Sequence, residues 1–141
     1  MPDLEARGAR ARLVGPCSDA DEFAKHLGIV GLDANQMSGR TELIIDARHL
    51  NDLGRVHGGA LFSLADAAIA LAANATPTEI ALVTVSHIQF LEAVMPGDHL
   101  VATAEREFRR RRRSGYRVRI MRGEELVALG TGETLAIERA P

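Results

Sequence analysis

Asp66 stands in the middle of GRVHGGALFSLADAAIALAANA (residues 54–75), a stretch with eight alanines between Ala60 and Ala75. A carboxylate inside so apolar a segment is costly unless it is paired or hydrogen-bonded. Its helical neighbours on one face would be Phe62, Ile69, Ala70 and Ala73, none of which can pair with it. An enclosed carboxylate has a raised pKa and little hydration, both useful in a general base or nucleophile. The plain alternative is that Asp66 caps a loop or reaches solvent at the helix edge. Upstream, His57, Gly58 and Gly59 sit where the helix begins. Glycine lets a ligand approach the backbone, and a first helical turn offers free N–H groups and partial positive charge. Such an N–H could polarise a carbonyl and hold an oxyanion. Alternatively, the glycines only shape a tight turn and His57 is a satisfied loop histidine.

Gly58 and Asp66 are eight residues apart, about 12 Å along a helix. One carbonyl cannot touch both within one chain. A convergent site needs Asp66 from a second, antiparallel copy of the helix, and alanine's small side chain permits that approach. The chemistry therefore predicts a two-fold dimer with two shared sites.

These groups require elements to hold them. SDADEFAKHLG (18–28) reads as a short helix, with Ser18 and Asp21 spaced as a capping box and Gly28 as C-cap. Phe23 and Leu27 fall on one face. Residues 29–36 and 39–47 read as strands joined by a Met37–Ser38–Gly39 turn, and 48–56 as loop. Helix formers dominate from Gly59 to Ala75, and Asn74 and Pro77 close that segment. Strands are then expected at 80–91, 99–108, 115–122 and 125–137, with Met95–Pro96–Gly97–Asp98 a clear turn. Successive strands with short turns imply an antiparallel sheet. A helix apolar nearly all round must be enclosed. The expected fold is α+β: an antiparallel sheet wrapped around one long central helix, with a short N-terminal helix. Residues 1–17 are expected to form a tail or short helix and 18–141 a single domain.

The chain has 141 residues, 46% hydrophobic and 26% charged, with net charge −2. This is a globular composition without a global pull toward nucleic acid or membrane. The longest strictly apolar run, Ala67 to Ala73, falls short of the roughly 20 residues a span needs. The first residues lack an apolar signal core. The single cysteine, Cys17, allows no internal disulfide, sits in a loop-like context with no histidine nearby, and is not expected to be catalytic. A cytoplasmic location is the expectation.

The pattern N-x-x-G-x-x-H-G-G, as Asn51, Gly54, His57, Gly58 and Gly59, followed by LFSLAD ending at Asp66, resembles the phenylacetate-pathway (PaaI-type) acyl-CoA thioesterases of the hotdog superfamily. VSHIQFLEAVMPGDHLVATAE (85–105) is similar to that family's stretch after the helix. The resemblance covers roughly residues 25–137. It implies the hotdog fold and hydrolysis of an acyl- or aryl-acyl-CoA, with phenylacetyl or hydroxyphenylacetyl groups suggested by the family. By position, Asp66 would be the general base or nucleophile, and the Gly58 N–H would bind the thioester oxygen. Asn51 and His57 would position the water or the leaving-group side. The helper hydroxyl, often a serine, would fall on Thr84, with Ser86 second and the match loose. Gly59 and Ser86 join the substrate-binding set. The resemblance implies a homodimer with shared sites, commonly assembled into a homotetramer. It implies no metal and no cofactor, coenzyme A being part of substrate and product. The five histidines show no metal-ligand spacing.

Sixteen of the seventeen basic residues are arginine, and Arg109, Arg110, Arg111, Arg112 and Arg113 form a block. It reads either as a solvated hairpin turn or as a docking surface for coenzyme A phosphates, which guanidinium groups pair bidentately. A nucleic-acid partner is not expected, because interleaved aromatics are missing and the net charge is acidic. Two other functions compete: a hotdog dehydratase or hydratase, and a non-catalytic acyl-CoA-binding hotdog protein. The dehydratase reading fits poorly, since those sites rely on a histidine paired with an acid in a different arrangement.

Overall fold

The structure, a computed structural model, describes residues 21–138. The expected 1–17 tail, Cys17 and the Ser18 half of the capping box lie outside the described residues. The order expected from sequence is the order found: α1 (Glu22–Leu27), β1 (Val30–Asn35), β2 (Ser38–Ile44), a 3-10 turn (Ala47–His49), α2 (Gly58–Ala73), β3 (Glu79–Phe90), β4 (His99–Arg110), β5 (Arg113–Arg122) and β6 (Glu125–Glu138).

The six strands form one antiparallel sheet in the order β1-β2-β4-β5-β6-β3. Helix α2 lies on its inner face. Leu64, Ala68, Ile69, Leu71 and Ala72 of α2 are buried, as are Leu43, Leu100, Ala102, Ala104, Val118, Ile120 and Ala128 on the strands. Packing is close because one partner surface is mostly alanine. The Thr41 hydroxyl donates to the Leu64 carbonyl at 3.0 Å, tying sheet to helix inside the core. A Cβ on Gly39 would stand 2.5 Å from the Ala68 carbonyl oxygen. That glycine is needed for close approach rather than for a turn.

Several boundaries differ from expectation. Asp21 is the N-cap of α1, its side chain accepting from the Ala24 N–H at 2.9 Å, so the helix is shorter than residues 18–28. Gly28 is the C-cap, at φ 76°. The first hairpin turns at Gln36–Met37, one position before the expected turn. The Asn35 side-chain oxygen accepts from both Met37 and Ser38 N–H there, and Ser38 and Gly39 already belong to β2. Helix α2 starts at Gly58 and ends at Ala73. Asn74 fastens its end to β3: its amide nitrogen donates to the Ala70 and Ala81 carbonyls, and its oxygen accepts from the Ala81 N–H at 2.8 Å. The strands β4 and β5 run into the arginine block, leaving only Arg111 and Arg112 as the turn. Among the described residues, no helix is long and apolar enough to cross a membrane.

Candidate active site

The loop before α2 positions its N-terminus. Asp46 caps the 3-10 turn, and His49, 2% exposed, returns the contact. The His49 Nδ1 accepts from the Asp46 N–H at 2.9 Å, which puts its proton on Nε2, 2.7 Å from the Leu27 carbonyl. The His49 carbonyl in turn accepts from the His57 N–H at 2.7 Å. One buried imidazole thus ties α1, the loop and the start of α2 together. Sequence reasoning passed over it, because nothing in RHLND distinguishes a buried histidine from an exposed one.

His57 is the N-cap of α2, its Nδ1 accepting from the Gly59 N–H at 2.8 Å. That bond uses one ring nitrogen for capping and leaves Nε2–H as a donor. Gly58 is the first helical residue, so its N–H has no intrahelical partner. A Cβ at Gly58 would lie 3.0 Å from the Phe90 ring, so the bare backbone makes room for that ring. The Asn51 side-chain oxygen accepts from the Leu53 and Arg55 N–H groups at 2.9 and 3.0 Å. Only its NH2 group is left to face a ligand.

Asp66 lies two turns further along α2, half-buried. It lines a cavity of about 270 Å³ with Phe23, Ala24, Ile29, Phe62, Ser63 and Asp21. Among the described residues it has neither an ion pair nor a hydrogen-bond partner for its side chain. Burial raises its pKa above the usual carboxylate value, and the negative charge of Asp21 adds to that. Asp21 escaped the sequence reading in this role. Its only visible signal was helix capping, and its approach to Asp66 depends on how α1 docks.

The two candidate hydroxyls occupy different settings. Thr84 sits at a bulge in the β3–β6 pairing, exposed, and donates to the Glu133 carbonyl at 3.3 Å. Ser86 lies against Phe62, Ala65 and Ile69 of α2, lining a gap of about 10 Å³ that is too small for a substrate group. Neither borders the Asp66 cavity, nor do Asn51, His57, Gly58 or Gly59. Within one chain the expected residues therefore form two separated halves.

All five arginines of the block are exposed, and Arg109 carries an ion pair. Arg109 grips Glu79 through two bonds of 3.0 and 2.8 Å and also donates to the Arg111 carbonyl. That pairing holds Glu79 below its usual pKa. Arg110 to Arg113 are exposed at the hairpin tip, with Arg111 at φ 57°. Among the described residues no group of His, Cys, Asp and Glu could hold a metal ion.

The one long helix clasped by an antiparallel sheet, with a lone carboxylate and a glycine N-terminus on that helix, defines a hotdog-type acyl-transfer scaffold. Residues 53–129 match the Thioesterase superfamily, and the chain belongs to it: a thioester hydrolase of the hotdog fold. The chain is similar to the acyl-coenzyme A thioesterase PaaI of Escherichia coli, at 33% identity over 81% of each chain. A solved structure of E. coli PaaI, from the phenylacetic acid degradation operon, superposes with a TM-score of 0.77 over 84% of this chain and 86% of that one. The phenylacetic acid degradation protein PaaI of Thermus thermophilus is 31% identical, with a TM-score of 0.76 over 82% of this chain and 98% of that one. A Deinococcus radiodurans protein described as a candidate esterase is 38% identical over 86% of this chain and 78% of its own.

Proposed function

We propose that the protein hydrolyses acyl- or aryl-acyl-CoA thioesters to the free acid and coenzyme A, at sites shared between two copies of the chain. The observation that carries this reading is the Asp66 carboxylate: half-buried in a largely apolar cavity, without a cation partner among the described residues, and raised in pKa. The Gly58 N–H of a second copy binds the thioester oxygen and takes up the negative charge that develops on attack. Asp66 removes a proton from water as the water oxygen bonds to the thioester carbon. The C–S bond then breaks and the departing sulfur receives the proton. Direct attack by the carboxylate is the other route, giving an anhydride that water opens. A single turnover in 18O-water tests for direct attack, since label enters Asp66 only when water opens the anhydride at the aspartyl carbon.

The shape of β3 supports the shared site. This 12-residue strand pairs with β6 on one side and is the sheet edge on the other. An uncovered edge of that length, carrying exposed Leu82 and Val85, is a template for another strand. Antiparallel pairing of β3 with a second β3 is self-complementary and sets two α2 helices side by side in opposite directions. The exposed Phe23 and Phe62 on the helix side offer apolar area for a further pair, which would complete a homotetramer. His57 through Nε2 and Asn51 through its NH2 orient the leaving-group side, and Thr84 supplies the helper hydroxyl. Gly59 and Ser86 shape the approach, and the exposed Arg110 to Arg113 meet coenzyme A phosphates.

The test is complementation. Asp66→Asn and Gly58→Pro are each purified; proline is tolerated at a first helical position but removes the N–H. Each alone should release little thiol from a panel of acyl-CoAs. Unfolded together and refolded as a mixture, they should regain about a quarter of native activity, because half the dimers are mixed and one site in each is intact. No recovery, from a mixture shown to contain mixed dimers, refutes the shared site. A native protein that releases no thiol from any acyl-CoA refutes the hydrolase reading.

A further inference from the structure

A second cavity, of about 310 Å³, lies at the other end of α2, bounded by Ala72, Ala73 and the strand ends. Its lining is polar, and three of its hydroxyls belong to buried residues: Tyr116 is 3% exposed, Ser114 4% and Thr134 2%. Two guanidinium groups, Arg106 and Arg109, also line it, with Glu79. The Glu79 charge is matched by Arg109. Arg106 pairs with no carboxylate among the described residues. Its side-chain acceptor is the Met37 sulfur at 3.1 Å, a weak one. Among the described residues, the cavity therefore holds one arginine without a carboxylate partner beside three buried hydroxyls. Burial keeps the Tyr116 hydroxyl protonated, and so a donor, through neutral pH. No buried side-chain nitrogen or oxygen lacks a hydrogen-bond partner among the described residues, and Tyr116 is bonded to Ser114 and Arg106, so these groups already stand together and can turn to an entering acceptor. An anion bound there would accept from all four side chains.

We infer that this cavity is a binding site for a singly charged oxyanion group, held by Arg106 with the Tyr116, Ser114 and Thr134 hydroxyls. A single arginine without a carboxylate partner among the described residues matches a carboxylate or a singly charged phosphoryl group better than a phosphate dianion. The two sources of such a group are a free carboxylic acid and one phosphoryl unit of the coenzyme A diphosphate, which carries one charge on each phosphorus. The site is distinct from the Asp66 cavity, with which it shares no lining residue.

Isothermal titration calorimetry on the native full-length protein tests this, with acetate, phenylacetate, coenzyme A and inorganic phosphate as probes. Arg106→Gln and Tyr116→Phe are the variants, each checked for native circular dichroism and assembly. Tyr116→Phe removes one oxygen and keeps the packing, so it reports on the site even where Arg106→Gln folds poorly. Loss of a charge-assisted contact should raise Kd at least about tenfold in Arg106→Gln. Tyr116→Phe should raise it several-fold. A rise for the carboxylates alone identifies a free acid as occupant, and a rise for coenzyme A alone identifies its diphosphate. Unchanged Kd values in both variants, no binding of any probe to native protein, or tighter binding of inorganic phosphate than of every singly charged probe overturns the inference. The readout is binding and not turnover, so it stands apart from the outcome for thioester hydrolysis.

Discussion

Asp66 and Glu79 are both acidic residues lining cavities against the same helix, and their surroundings move them in opposite directions. Glu79 meets the Arg109 fork at two points and its pKa falls. Asp66 meets no cation among the described residues, is half-buried beside Phe23 and Phe62, has Asp21 as a charged neighbour, and its pKa rises. A paired carboxylate is stabilised as an anion and makes a poor base. An unpaired, enclosed one is destabilised as an anion and is ready to take a proton or attack carbon. The difference between the two identifies chemistry better than the number of charges does: the arginine hairpin, the most charged stretch of the chain, is in part structural.

The largest test of that contrast is Asp66→Asn. The amide should lower kcat by about 10²- to 10⁴-fold in a thiol-release assay, the range for losing a general base. Activity within a few-fold of native would erase the distinction from Glu79. Next, replacing Arg110 to Arg113 together by glutamine should raise KM for acyl-CoA more than it lowers kcat, as expected for lost ground-state binding. An unchanged KM would make the hairpin tip a solvated turn.

A smaller effect concerns Asp21. Asp21→Asn keeps a residue suited to capping α1 but removes the charge beside Asp66. The acid limb of the kcat/KM pH profile, which should lie above the ordinary aspartate value of 3.8, should move to lower pH. A limb that does not move would show that burial alone tunes Asp66. The sign for stability follows from the same shift. The folded protein holds the Asp66 proton more tightly than the unfolded chain, so Asp66 lowers stability as pH rises through and above 3.8. Asp66→Asn should thus raise Tm at neutral pH and lose that advantage in acid. Smallest is Glu79→Gln, which should cost about 0.5 kcal/mol in denaturant unfolding and leave kcat unchanged. Its contribution is present above the ordinary glutamate value of 4.5 and fades as pH falls through the lowered folded value.

Much of the fold was legible because it rests on period and composition. The alternation of Tyr116, Val118 and Ile120 with arginines marks a half-buried strand, and all three face inward and are buried. The alanine-rich run marks an enclosed helix. The hairpin turn was misplaced because Gly39 was read as turn chemistry, whereas it serves contact with Ala68 across the core. Its reason lies 29 residues away in sequence, beyond any local rule. The same limit applies to the site. Asp66 stood out locally as a charge in an apolar run, but its neighbour Asp21 and the His49 staple depend on how α1 and the loop pack.

The sequence by itself determined the element order, the enclosed helix and its single carboxylate, because side-chain periodicity and the cost of burying charge act over a few residues. Tertiary structure decided which charges are paired, which histidine is buried and which strand is left at the edge. Those outcomes depend on contacts between distant segments: Glu79 with Arg109, His49 with Leu27, β3 with β6 alone. Distance in space, not in sequence, sets the electrostatic and hydrogen-bond energies that turn the same residue type into a structural pair or a reactive group.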